Sequence, residues 1–175
     1  MHSLCSSHIL LIIKKTIDMK NILLSLILIL ASAVGFSQAS GIEIDNRSEC
    51  DIYIQLRGAK DCPVCEVEYT SRLILIPAAT SVSFPNTTTL GGSFPSPPVF
   101  LHSAMIYSGP KQCRRLETWI IGENQTPPPS KCKYPDYVVF YAMDRECKVK
   151  CEKLKAVWLN AEPTCKGIAR LIITS

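Results

Sequence analysis

Beyond residue 40 the apolar positions of the chain recur with a period of two. Cys50, Ile52, Ile54 and Leu56 fall on one side of an extended backbone while Asp51, Tyr53 and Gln55 fall on the other, which is the pattern of a strand with one buried face. Shorter or less regular β-rich runs occupy 42–44, 67–76, 81–84, 99–107, 117–121, 137–142, 155–159 and 168–174. Pro77 and Pro85 end two of them, since proline has no N–H to give to a neighbouring strand. The stretches 86–98, with Gly91-Gly92 and a proline-rich end, and 123–130, with Pro127-Pro128-Pro129, read as loops, the triple proline extended. Residues 146–153 fit either one helical turn or a tight hairpin. No segment carries the spacing of an amphipathic helix, and no internal repeat is strong enough to use. Strands at roughly ten-residue spacing without helices predict an all-β fold: an antiparallel β-sandwich, or a barrel-like variant of it.

The first forty residues are patterned differently. Met19-Lys20-Asn21 is a short basic start, 22–30 an apolar stretch and 31–39 a small-residue exit, the three parts of a secretory signal. Small residues at Ser37 and Ala39 allow a cut before Ser40, and Gly35 with Ser37 a cut before Gln38. The apolar run 22–36 is shorter than the ~20 residues a spanning helix needs. No basic cluster follows it, and no cysteine follows the small residues to carry a lipid. Residues 1–18 hold a second short apolar run, 8–13, ending in Lys14-Lys15; they are an extension upstream of a true start at Met19, or else a long basic region ahead of the same signal. The expected organisation is 1–18 as that extension, 19–39 as signal peptide and 40–175 as one domain. The domain is expected to be exported, extracellular or periplasmic, with no stable membrane anchor after cleavage.

Charge excludes one class of partner. From residue 40 onward 16 basic residues face 14 acidic ones, a net charge near +2 with no clustered basic face of the kind nucleic acid requires. Lys131 with Lys133, and the run Lys148, Lys150, Lys153 and Lys155, read as solvated positions guarding a strand edge.

The same region holds eight cysteines, Cys50, Cys62, Cys65, Cys113, Cys132, Cys147, Cys151 and Cys165. An even number in an exported chain points to a disulfide framework, whose connectivity the spacing leaves open.

The opening Ile42-x-Ile44-x-Asn46-x-Ser48-x-Cys50-x-Ile52-x-Ile54 and the closing Ala156-Val157-Trp158 with Ile168-Ala169-Arg170-Leu171-Ile172-Ile173 resemble small β-sandwich proteins secreted by bacteria. The first of these also resembles the opening strand of thaumatin-like proteins. The resemblance covers about a quarter of the domain; it implies the sandwich and no activity.

Each chemical motif has a structural reading beside the functional one. Cys62-Pro63-Val64-Cys65 has the spacing of a thiol redox pair, which needs a helix N-terminus to lower the first thiol's pKa; here 66–76 is β-rich, so both cysteines read as staples, at least one of them bonded outside the motif. Cys62 and Cys65 with Cys147 and Cys151 have a permissive zinc spacing, against which oxidation competes, so no metal is expected. His102, the one histidine beyond residue 40, stands beside Ser103 without a hydrolase signature, and reads as a strand histidine with an ordinary partner. Asp136, Asp144, Glu146 and Glu152 are near one another, as a glycosidase pair would be, but among fourteen acidic residues some such grouping is inevitable. Trp119 and Trp158 lie in apolar runs and read as core, whereas Tyr134 and Tyr137, flanking Pro135, are the expected exposed aromatic pair. The signal reads as bacterial, so the sequons at Asn46, Asn86 and Asn124 are taken as chance. These readings converge on a secreted, non-enzymatic β-sandwich without cofactor, with a binding or structural role toward a protein or glycan. Its contact surface is expected on loops 86–98 and 123–135. The alternatives are a secreted hydrolase and a thiol redox protein using Cys62 and Cys65.

Overall fold

The computed structural model describes residues 39–62, 64–124, 132–161 and 167–175. The expected signal segment up to residue 38, the triple proline and Cys165 lie outside the described residues.

Ten strands follow in chain order: β1 (Gly41–Asn46), β2 (Ile52–Ala59), β3 (Tyr69–Thr70), β4 (Ile74–Ile76), β5 (Thr80–Phe84), β6 (Phe100–Tyr107), β7 (Thr118–Gly122), β8 (Tyr137–Met143), β9 (Val149–Leu159) and β10 (Ile168–Thr174). The sole helical element among the described residues is a 3-10 turn, Thr87–Thr89. One sheet has the order β5-β1-β10-β9-β8; the other has β3-β2-β6-β7, with β4 also paired to β2. Every pairing is antiparallel except β1 with β10, which is parallel from Gly41↔Ile168 to Asn46↔Ile173. The expected all-β fold in two sheets is thus present, mostly antiparallel with this one parallel pair.

Period-two patterning explains the core. Ile42, Ile44, Leu171, Ile173, Ala156, Trp158 and Phe140 of the first sheet meet Ile52, Ile54, Leu56, Ala104, Ile106 and Ile121 of the second in one buried cluster. Full burial of each larger aliphatic side chain contributes roughly 1.5–3 kcal/mol. At the β1–β2 turn, Asn46 is buried and its Nδ2 donates to the carbonyls of Cys50 at 2.8 Å, Pro77 at 2.9 Å and Ile76 at 3.3 Å. It also accepts from Ser48 N–H and Oγ, so its side chain is a structural hub.

One segment departs from expectation, and another takes the second of its two expected forms. The run 67–76 is broken into β3 and β4, because Ser71 takes over the ladder: its N–H donates to Leu56 O at 2.9 Å and its Oγ accepts from Leu56 N–H at 2.9 Å. Residues 146–153 form a hairpin, not a helical turn. Asp144 Oδ1 accepts from the N–H of Glu146 and Lys148, Cys147 adopts φ +61°, and β9 starts already at Val149. Lys155 therefore lies on an inner strand, opposite Thr174 of β10, whereas Lys150 and Lys153 lie where β9 pairs with β8 alone.

Disulfides join Cys50 to Cys151, Cys65 to Cys132 and Cys113 to Cys147, with Cα–Cα distances of 6.3, 5.3 and 5.6 Å. Cys62 is disulfide-bonded as well. No helix among the described residues is long and apolar enough to cross a membrane.

Candidate functional site

His102 sits at a defect in β6. Arg57 of β2 pairs with Ser103 and Gly58 with Leu101, so His102 is the extra residue of a β-bulge, a device that re-aims a side chain. Glycines make room on both sides: a Cβ on Gly58 would collide with Phe100 O, and one on Gly122 with His102 O. The imidazole Nδ1 lies 3.0 Å from Ser103 Oγ. The ring stacks on Tyr134 with centroids 5.6 Å apart and planes 7° apart. Glu123 follows β7 and its N–H donates to His102 O at 2.9 Å, so the two residues are backbone neighbours.

This is the serine, histidine and carboxyl inventory of a hydrolase, but it is sealed. His102, Ser103 and Glu123 each have 0% exposure. Burial pushes the imidazole down to about 4, with the Arg57 charge acting the same way and the nearby backbone of Glu66 and Gly58 opposing. No described group meets Nε2 in hydrogen-bond geometry. Burial pushes the Glu123 carboxyl up to about 9. Both groups are uncharged at neutral pH, whereas a catalytic triad needs an ionised acid to stabilise its imidazolium. Tyr134 completes the seal. Its hydroxyl donates to Cys65 O at 3.2 Å, and the Cys65–Cys132 bridge fixes the two segments it spans.

Of the two tyrosines expected at the surface, Tyr134 is half-buried with its ring stacked on His102, whereas Tyr137 is 58% exposed on β8. Val139, 56% exposed, shares its face, and the strand parity adds Tyr141. Lys155 Nζ lies 5.5 Å from the centre of the Tyr137 ring. Where β8 meets β7, Trp119 packs edge-on against Tyr141 with centroids 5.4 Å apart, and against Phe140 at 5.8 Å. Trp158 is buried as expected, whereas Trp119 is only half-buried and forms part of the surface. Around these rings opens a shallow cleft of about 400 Å³ lined by Trp119, Val139, Phe140, Tyr141 and Val149, with Glu152 and Lys153 at its rim. The Tyr141 hydroxyl is raised in pKa by burial and by its hydrogen bond to the Glu117 carboxylate, an interaction that helps to hold the ring.

The other expected sites are dispersed. Cys65 is bonded to Cys132, so Cys62 and Cys65 are not each other's partners. Cys147 and Cys151 bond to Cys113 and Cys50. Among the described residues no three His, Cys, Asp or Glu side chains gather as metal ligands do. Loop 86–98 is anchored at several points, Thr87 Oγ1 exchanging hydrogen bonds with Val99 N–H and O, Ser93 bonding Thr70 and Leu90 being buried, while Thr88, Thr89 and 96–98 are exposed. Most of loop 123–135 lies outside the described residues.

The aromatic cleft was not apparent in the sequence. The available signal was 137–142, which is apolar at both parities, as an edge strand with one exposed face should not be. No protein-family model, curated protein or solved structure matches the chain, so the site is read from its own geometry.

Proposed function

We propose that this chain is an exported, non-catalytic β-sandwich that binds a glycan along β8 and the β7–β8 seam. The observation that carries the reading is the exposed pair Tyr137 and Val139, continuous through the half-buried Tyr141 with the Trp119 cleft. Edge strands normally carry charge, proline or a bulge to prevent aggregation, and contiguous exposed apolar surface in a monomer marks an interaction site. A saccharide suits this surface. Its C–H faces pack on aromatic rings, which offer large apolar area at small entropic cost, while its hydroxyls reach Glu152, Lys153 and Lys155. From Tyr137 to Tyr141 the strand rises about 13 Å, the length of an oligosaccharide instead of one sugar. The sealed state of His102 and Glu123 supports a binding role over hydrolysis. Three disulfides among the described residues fit an oxidising compartment outside the cytosol.

A glycan array with the oxidised protein, followed by titration of each hit, tests this reading. Trp119→Ala and Tyr137→Ala should each weaken binding on the order of tenfold, as removal of an aromatic anchor does. Tyr137 is exposed, so its variant folds. A blank array, or affinity unchanged in both variants, would overturn the proposal.

A further inference from the structure

A second cleft, unrelated to the aromatic seam, lies on the outer face of the β2–β6 pair. It has a volume of about 320 Å³ and is lined by Gln55, Arg72, Leu73, Tyr107, Lys111 and Leu116, within the size range of small-ligand pockets. Two cations and no carboxylate line it. Among the described residues neither Arg72 nor Lys111 has an ion-pair partner. Two free cations beside apolar walls call for an anion.

The frame is built before any ligand arrives. Tyr107 Oη donates to Gln55 Oε1 at 2.9 Å, and Gln55 Nε2 donates to Ser71 O at 2.8 Å. An amide nitrogen carries two protons, so one Gln55 N–H remains to offer. The Arg72 stem lies against Gly91, whose φ of +64° suits glycine: a Cβ there would stand 3.5 Å from Arg72 Cδ. Lys111 sits in a turn closed by Cys113 N–H to Pro110 O at 3.0 Å, and the Cys113–Cys147 bridge ties that turn to the β8–β9 hairpin. The nearest acid on this stretch, Glu117, is engaged by Tyr141.

We infer that this cleft is a binding site for a small organic carboxylate, its oxygens held by Arg72, Lys111 and the free Gln55 N–H and its apolar body set against Leu73, Leu116 and the Tyr107 ring. The guanidinium fork matches a carboxylate in two parallel hydrogen bonds. The leucine walls select an apolar body over a bare inorganic ion. This site does not depend on the glycan reading, because Trp119 contributes nothing to it.

The test is a titration of the oxidised protein with benzoate, benzyl alcohol and inorganic sulfate, followed by backbone and side-chain amide NMR. Benzoate should bind about tenfold more tightly than either control, shifting the Gln55 side-chain amide and the Lys111 N–H. Arg72→Gln should reduce benzoate affinity by about tenfold, and Trp119→Ala should leave it unchanged. Arg72 and Lys111 are exposed, so their variants fold. Equal binding of benzoate and either control, or benzoate affinity unaffected by Arg72→Gln, would overturn the assignment.

Discussion

Glu123→Gln should stabilise this protein at neutral pH, and the effect can be worked out from the burial of one carboxyl. In the folded chain the Glu123 carboxyl has its pKa pushed up from 4.5 to about 9 by burial. In the unfolded chain at pH 7 it is ionised, so folding must take up a proton. A raised folded pKa contributes stability that is complete below pH 4.5 and is lost as the pH climbs toward 9. Each pH unit in that window costs about 1.4 kcal/mol, so by pH 7 the loss is about 3 kcal/mol. Glutamine has the shape of the protonated acid and no proton to acquire. Glu123→Gln should therefore be more stable than the parent by about 3 kcal/mol at pH 7 and nearly equal to it below pH 4.5. His102 supplies the opposite limb. Its folded pKa lies at about 4, below the usual 6.5, so its contribution is complete above pH 6.5 and is lost as the pH falls toward 4. The parent should accordingly be most stable between the two limbs, in the weakly acidic range. The assay is urea unfolding of parent and variant with disulfides intact at pH 5, 7 and 8.5. A variant no more stable than the parent at pH 7, or a gap that fails to widen from pH 5 to 8.5, would refute the reasoning.

Two further outcomes test the frame. Asn46→Ala removes the amide donor to the carbonyls of Ile76 and Pro77 and leaves Cys50 O only the longer bond from Ser48 Oγ, and should cost about 2–4 kcal/mol in urea unfolding; a change below about half a kcal/mol would show that the turn holds without the hub. Three bridges use six of the eight cysteines beyond residue 40, and Cys62 is bonded too, so the partner expected for it is Cys165. Gly167 O accepts from Ser40 N–H at 2.9 Å, next to the Ala39–Leu101 bridge and the Ala59–Phe100 pair that ends β2, so the chain after Cys165 returns to the end from which Cys62 departs. Non-reducing peptide mapping should recover Cys62 joined to Cys165, and any other partner for Cys62 contradicts this pairing.

What the sequence made legible follows from what is local. Cys50, Ile52, Ile54 and Leu56 alternate because one face of β2 is core and the other is not, and the period of two records that directly. The break at Ser71 was hidden because a hydroxyl accepting a ladder N–H leaves no compositional trace. The early start of β9 was hidden because Lys150, Glu152 and Lys153 are exposed, and their place in the strand is decided by pairing with β8. The parallel β1–β10 pair joins the two ends of the domain; no local pattern encodes such a closure. At the sites, the reading of His102 as a strand residue matches its place in β6. Neither its bulge nor the approach of Glu123 has a one-dimensional signature. Trp119 was read as core because its neighbours Ile120 and Ile121 are apolar, whereas its ring lies where the two sheets meet at their edges.

Two departures from the usual partition of side chains bear on function. Inside, His102 and Glu123 are buried and uncharged at neutral pH; outside, Tyr137 and Val139 stand in solvent on an edge strand. Both choices cost stability or solubility, and local departures of this kind cluster where function or topology demands them. The inner departure has a topological account. Where β6 gains its extra residue the ladder must bend, Gly58 and Gly122 let the neighbouring strands close on it, and Tyr134, anchored through Cys65, covers the ring that results. The outer departure has no such account, since β8 would pair with β9 equally well with threonine or lysine at 137 and 139. The fold does not require an apolar aromatic row there, and that asymmetry is why the proposed binding surface is placed on β8 and not at the histidine.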